Sequence, residues 1–180
     1  RGPAMNVLRR IALCSMLAMC IGPLTAHAQT APRRDAMQHF FVATLGDYPA
    51  ELAEARKAGK QGLFAMYSWD ECPYCERMKK DVLSLPEVQK YYRDRFVPLM
   101  VDTRGSVPIT DFNGRQTTEK AFATDQGVRV TPTLVFYDLS GRPLYRHAGE
   151  IRDAATMIRL GEFVSSGAYK NQKFADYKGQ

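Results

Sequence analysis

Three short apolar runs, Leu63-Phe64-Ala65-Met66-Tyr67, Phe96 to Val101 and Thr133-Leu134-Val135-Phe136-Tyr137, interrupt a chain that is otherwise mixed in polarity. Runs of that length without a charge predict buried strands, and Leu63 to Tyr67 is the candidate for the centre of a sheet. Pro143 to Ala148 follows the third run across the turn signal Ser140-Gly141 and predicts its antiparallel partner. The stretches between are helical in pattern. Asp47 to Gly59 has a capping aspartate, Pro49 near the first turn, helix formers from Ala50 to Ala58 and a closing glycine. Glu76 to Leu83 and Pro86 to Asp94 follow, the latter placing Val88, Tyr91 and Tyr92 at core spacing. Thr118 to Gln126 stops at Gly127. Arg152 to Ser165 sets Ala155, Ile158 and Phe163 on or near one face. Thr103 to Thr117 is the least regular part, where Val107-Pro108-Ile109 and Asn113-Gly114 predict a small hairpin projecting from the domain. Gln29 to Asp35 reads as a mobile leader, and Met37 to Leu45 is apolar enough to dock. Gly167 to Gln180, with Tyr169, Phe174 and Tyr177, reads as a packed extension.

Composition changes this picture at one end only. The chain has 180 residues, 45% hydrophobic and 24% charged, enough for one domain with a real core. Residues 1–28 differ from the rest: Met5-Asn6-Val7-Leu8-Arg9-Arg10 is basic, Ile11 to Leu24 is apolar and uncharged, and Ala26-His27-Ala28 supplies the small residues that signal peptidase requires. The expectation is a cleaved secretory signal peptide over 1–28, with residues 1–4 preceding the apparent start at Met5, and a mature domain over 29–180 located in the periplasm. The apolar run is short and broken by Gly22-Pro23, which argues against a membrane anchor. Cys20 leaves lipidation as a minor alternative, although Met19 departs from the small residue that motif wants. Cleavage would remove Cys14, Cys20 and three arginines, so a net charge of +6 becomes +3. That balance, without basic and aromatic clusters, gives no reason to expect nucleic acid as a partner.

Removal of Cys14 and Cys20 would isolate Cys72 and Cys75, three positions apart in Ser68-Trp69-Asp70-Glu71-Cys72-Pro73-Tyr74-Cys75. A bridge between them closes too small a loop to staple a domain of this size. Structural zinc needs four ligands, haem attachment needs a histidine after the second cysteine, and Glu76 stands there instead. Metal is therefore not expected. Redox chemistry needs a thiolate exposed at a helix start, where free N–H groups and the helix dipole favour negative charge, and Cys72 would occupy that place. Cys75, one turn later, could resolve a mixed disulfide. Asp70, Glu71 and Glu76 oppose the thiolate while Lys79, Lys80 and the helix start favour it, so the sequence leaves the reduction potential open.

The order of elements, the Cys-Pro-Tyr-Cys motif directly after a strand, and Val130-Thr131-Pro132-Thr133 ahead of a Leu-Val-Phe-Tyr strand resemble the thioredoxin superfamily. Within it, the leader, the CPYC motif, the Asp111-Phe112-Asn113-Gly114 insertion and the Tyr169-Lys170 tail are similar to periplasmic thioredoxin-related proteins of the SoxW type. The resemblance implies a thioredoxin-like α/β fold with a central mixed β-sheet flanked by helices on both faces. It implies a thiol–disulfide oxidoreductase without cofactor, most simply one that reduces protein disulfides. Cys72 and Cys75 would be catalytic, and Thr131, a cis Pro132, Pro73, Tyr74 and Gly149 would contact substrate. It also implies a monomer fed by a membrane electron donor of the DsbD or CcdA kind, serving sulfur-oxidation enzymes or cytochrome c maturation. Two departures stand out: Met66 occupies the place of a buried aspartate, and Trp69 lies three residues before Cys72 rather than next to it, where it could wall the site or simply pack. A DsbA-like oxidant or isomerase, and a copper-handling or binding module, are the alternatives on the same fold.

Overall fold

The computed structural model describes residues 31–179. The expected signal peptide and the cysteines at 14 and 20 lie outside the described residues. Strand β1 (Gly62–Ser68) is buried at every position. It pairs in parallel with β2 (Phe96–Asp102) and antiparallel with β5 (Thr133–Tyr137), which pairs antiparallel with β6 (Pro143–Ala148), so the sheet has the order β2-β1-β5-β6 and is mixed. Each expected strand of this sheet is present.

Because side chains alternate along a strand, β1 feeds two cores at once. Phe64 and Met66 point into one, with Leu134 and Phe136 of β5; Leu63, Ala65 and Tyr67 point into the other, with Val135 and Tyr137. The first core is closed by α3 (Pro73–Asp81), α4 (Pro86–Arg95) and α6 (Ala154–Ser165), and the second by α2 (Tyr48–Lys57) and α5 (Glu119–Asp125). Helices thus cover both faces, as expected. Phe64 anchors an aromatic cluster, with ring centroids 4.9 Å from Tyr92 and 5.1 Å from Phe136. The Tyr92 hydroxyl donates to the Met157 carbonyl at 2.9 Å, satisfying a fully buried polar group.

Caps fix the helix starts. Asp47 accepts from Ala50 N at 3.0 Å, and Thr118 accepts from Ala121 N at 3.2 Å. In α6 the cap is Asp153, which accepts from Thr156 N at 2.7 Å, so the helix begins later than Arg152. Its buried face is Met157, Leu160, Gly161, Phe163 and Val164, while Ala155 is exposed and Ile158 half-buried. Phe163 and Ile158 thus lie on the core side as expected, and Ala155 does not.

Three further expectations change. The leader is held from Arg33 onward: Arg33 pairs with Asp81 at 2.9 Å, Arg34 N donates to the Ser84 carbonyl, and Asp35 caps a short helix α1 (Ala36–His39). The hairpin forms, as β3 (Pro108–Thr110) and β4 (Gln116–Thr118), but it packs instead of projecting. Ile109 is buried, and the Phe112 ring lies 5.3 Å from Tyr48, 5.7 Å from Phe122 and 4.8 Å from Tyr137. Its turn is also longer than a two-residue one. Asp111 accepts from Asn113 N and Arg115 N, and only Gly114 takes a positive φ, +79°. Gly141, at φ +80°, lies so close to Phe112 that a Cβ there would sit 2.7 Å from the Phe112 side chain. The tail does pack: Tyr177 is buried and its ring lies 5.3 Å from Phe163, with Phe174 at 5.5 Å.

Both outer strands of the sheet carry a proline. β2 carries Pro98, which has no N–H, and its carbonyl accepts from Val42 N at 2.9 Å; β6 opens with Pro143 and exposes Arg146.

Phe112→Ala is expected to cost about 2–3 kcal/mol, less than a fully buried phenylalanine because this ring is only half-buried, measured by urea unfolding. Asp111→Ala should cost about 1–2 kcal/mol at neutral pH through the N–H groups it leaves unpaired. Burial pushes the Asp111 carboxyl up, but the N–H groups of Arg115 and Asn113 and the Arg115 guanidinium outweigh it and hold it below the ordinary aspartate value of 3.8. A lowered carboxyl stabilises the fold fully above that ordinary value and loses its contribution as pH falls through the folded one. The gap between the variant and the parent should therefore shrink as unfolding is measured from pH 7 down to below pH 3.8.

Candidate redox site

At the end of β1 the chain turns through Trp69, Asp70 and Glu71, with Cys72 N donating to the Trp69 carbonyl at 3.1 Å and Thr103 N to the Ser68 carbonyl at 2.8 Å. Cys72 is then the N-cap of α3. Its φ of −81° and ψ of 102° are extended, and its Sγ accepts from Cys75 N at 3.2 Å, the bond a serine or aspartate cap would make. Pro73 occupies the first helical position, where a missing N–H costs nothing. Cys75 comes one turn later, its Sγ at bonding distance from that of Cys72 and the Cα atoms 5.2 Å apart.

Cys72 has the expected place but not the expected exposure: it is 2% exposed, and Cys75 is fully buried. The motif's accessible surface is instead Glu71, Pro73 and Tyr74, the last 51% exposed.

Thr131 and Pro132 come to the same place from the loop before β5. The Thr131–Pro132 bond is cis, and the Thr131 hydroxyl donates to Cys72 Sγ at 3.4 Å. Pro132 is buried, and its carbonyl accepts from Gly149 N at 2.8 Å. The backbone N–H and C=O of Thr131 make no hydrogen bond among the described residues, so they are available to an extended chain. Gly149 has φ +103°, which explains the glycine, and a Cβ there would meet nothing within 4 Å.

Trp69 belongs to this constellation. Its indole N–H donates to Thr131 Oγ1 at 3.0 Å, and the Arg104 guanidinium stacks 3.5 Å from the ring centroid. On α3, Arg77 lies over the Tyr74 ring at 5.2 Å and bonds the Glu150 carboxylate, which also accepts from Arg152 at 3.0 Å. The Arg77 hydrogen bond, aided by Arg152 and opposed by burial, holds the Glu150 carboxyl below its ordinary range. Glu76 pairs with Lys79, so two of the charges weighed against each other in the sequence largely cancel. Met66 is fully buried in apolar surroundings, so β1 offers no carboxylate beneath the pair. Arg77, Arg104 and Glu150 were not legible in sequence: Arg77 and Glu150 are 73 positions apart, and no spacing rule joins them.

The family model of a thioredoxin-like domain matches residues 48–165. No curated protein matches the chain. Among solved structures, a thioredoxin-fold protein from Helicobacter pylori is 21% identical, with a TM-score of 0.58 over 78% of this chain and 86% of that one. A thioredoxin from Thermus thermophilus is 26% identical, with a TM-score of 0.52 over 73% and 95%. The DsbH oxidoreductase is 19% identical, with a TM-score of 0.51 over 70% and 83%. At these identities the first and third show a common fold and nothing finer. A mixed sheet of this order, a disulfide-forming pair opening the helix after its central strand, and the match over 48–165 make the chain a member of the thioredoxin-like domain family, with thiol–disulfide oxidoreductase as its general activity.

Proposed function

We propose that this protein reduces protein disulfides in the periplasm, in the manner of the SoxW-type proteins its sequence resembles. The observation that carries this reading is Cys72 Sγ acting as the N-cap of α3, accepting from Cys75 N at 3.2 Å. A sulfur in that position has a donor in place and a helix dipole behind it, so its thiolate is favoured over its thiol. In the reduced protein the Cys72 thiolate attacks one sulfur of a substrate disulfide; that S–S bond breaks and the other substrate sulfur leaves as a thiolate. Cys75 then loses its proton and attacks Cys72 Sγ, releasing the second substrate sulfur. Two electrons have passed to the substrate, and Cys72 and Cys75 end as the disulfide. Thr131 backbone, beside cis Pro132, pairs with the substrate chain, with Pro73, Tyr74 and Gly149 forming the rest of the seat.

The basic, apolar and small-residue pattern of residues 5–28 supports export and cleavage after Ala28. An oxidising compartment then requires a source of electrons, and a membrane dithiol donor of the DsbD or CcdA kind fits that need. The domain acts as a monomer.

Three outcomes test this. Cys75→Ser should accumulate mixed disulfides with periplasmic proteins through Cys72, while Cys72→Ser should trap few, and both should lose insulin reduction. The couple should equilibrate with glutathione or dithiothreitol below about −180 mV, and a value near about −120 mV, that of a strong oxidant, would replace reductase by oxidase as the direction. Mass spectrometry of the protein recovered from a periplasmic fraction should give Gln29 as its first residue.

A further inference from the structure

Trp69 is the only tryptophan of the chain, and it stands at a non-standard position for the motif it precedes. Its indole N–H can only donate, so the 3.0 Å contact with Thr131 Oγ1 has one direction. That contact occupies an oxygen lone pair of the Thr131 hydroxyl and leaves its one proton for another acceptor. The acceptor in place is Cys72 Sγ, 3.4 Å away. The indole is itself held: Arg104 stacks over its face at 3.5 Å, and the Arg104 backbone N–H is fixed by Asp102 Oδ1 at 2.8 Å.

We propose that Trp69 is a positioning residue for the redox pair: through the Thr131 hydroxyl it aims a proton at the Cys72 sulfur. This deepens the reductase reading and rests on it for its purpose, though not for its chemistry. A thiolate accepts such a bond more strongly than a thiol or a disulfide, and chained hydrogen bonds reinforce one another. The relay therefore favours the reduced, ionised Cys72 over its other states. The Thr131 backbone remains free for substrate, so the same residue serves both tasks with different atoms.

The test is the pH profile of iodoacetamide alkylation of the reduced full chain, read by mass spectrometry on the peptide that contains Cys72, which needs no substrate. Thr131→Val should slow alkylation at acidic pH about 10-fold through loss of a bond to a charged sulfur. Trp69→Phe should slow it about 3-fold, with the profile displaced to higher pH, because the hydroxyl is freed and less polarised. Thr131→Ser should keep the wild-type profile. The double variant should match Thr131→Val alone. Two results would overturn the proposal: an unchanged profile in Trp69→Phe, or an equal further slowing when Trp69→Phe is added to Thr131→Val, which would mark a packing role. If Trp69→Phe does not fold, the emission of the sole tryptophan decides. Reduction of the pair should change Trp69 emission in the parent, and Thr131→Val should diminish that change; an equal change in both would overturn the relay. A parent that fails to reduce insulin would sink the reductase reading while leaving these profiles interpretable.

Discussion

The burial of β1 on both faces is the constraint on which the molecule depends. Seven consecutive buried positions leave no solvent face, so the strand is stable only if helices close both sides and strands flank both edges. Once they do, the first residue able to leave the core is reached at the end of the strand, and the chain must turn there. That turn is where Trp69 to Cys72 lie, at the mouth of the sheet, with α3 starting immediately after. The redox pair is thus a product of the strand's confinement: its backbone follows directly on a strand buried at every position, and its N-cap geometry follows from the abrupt change of direction.

The other half of the site arrives by a second route of the same kind. β5 lies beside β1 in antiparallel register, Met66 opposite Leu134 and Tyr67 opposite Thr133, which brings the residues just before β5 level with those just after β1. Thr131, with Pro132 next to it, therefore meets Cys72 because of sheet register, although Thr131 lies 59 positions further along the chain. β6 extends the same logic by one strand, pairing Ala148 with Thr133 and so placing Gly149 against Pro132.

This explains what could be read from the sequence. Apolar runs, caps and punctuating glycines are local, and they located every strand of the main sheet and the helices that flank it. Cys72, Cys75, Thr131, Pro132 and Gly149 were singled out because a motif or a resemblance marks each, and the fold brings them to one end of the sheet. Position within a helix was less legible, because spacing alone does not say which flank of the apolar stripe of α6 meets the core: Phe163 and Ile158 do and Ala155 does not. The hairpin was legible as a hairpin but not as part of the core, since nothing local says that Phe112 packs on Tyr48, Phe122 and Tyr137. The bonds from Trp69 to Thr131 and from Arg77 to Glu150 depend on side chains meeting across elements, and the sequence holds no period for that. The depth of Cys72 is the same kind of quantity: its position in the helix is local, whereas its cover is tertiary.

The proline in β2 and the one opening β6 acquire a meaning from this setting. An exposed strand edge with a full row of donors and acceptors recruits other strands. Pro98 removes a donor from one edge, with Val42 occupying its carbonyl, and Pro143 with Arg146 blunts the other. Strand addition is thereby discouraged along both outer edges of the sheet, while the Thr131 backbone, unpaired among the described residues, stays open beside the Cys72 sulfur.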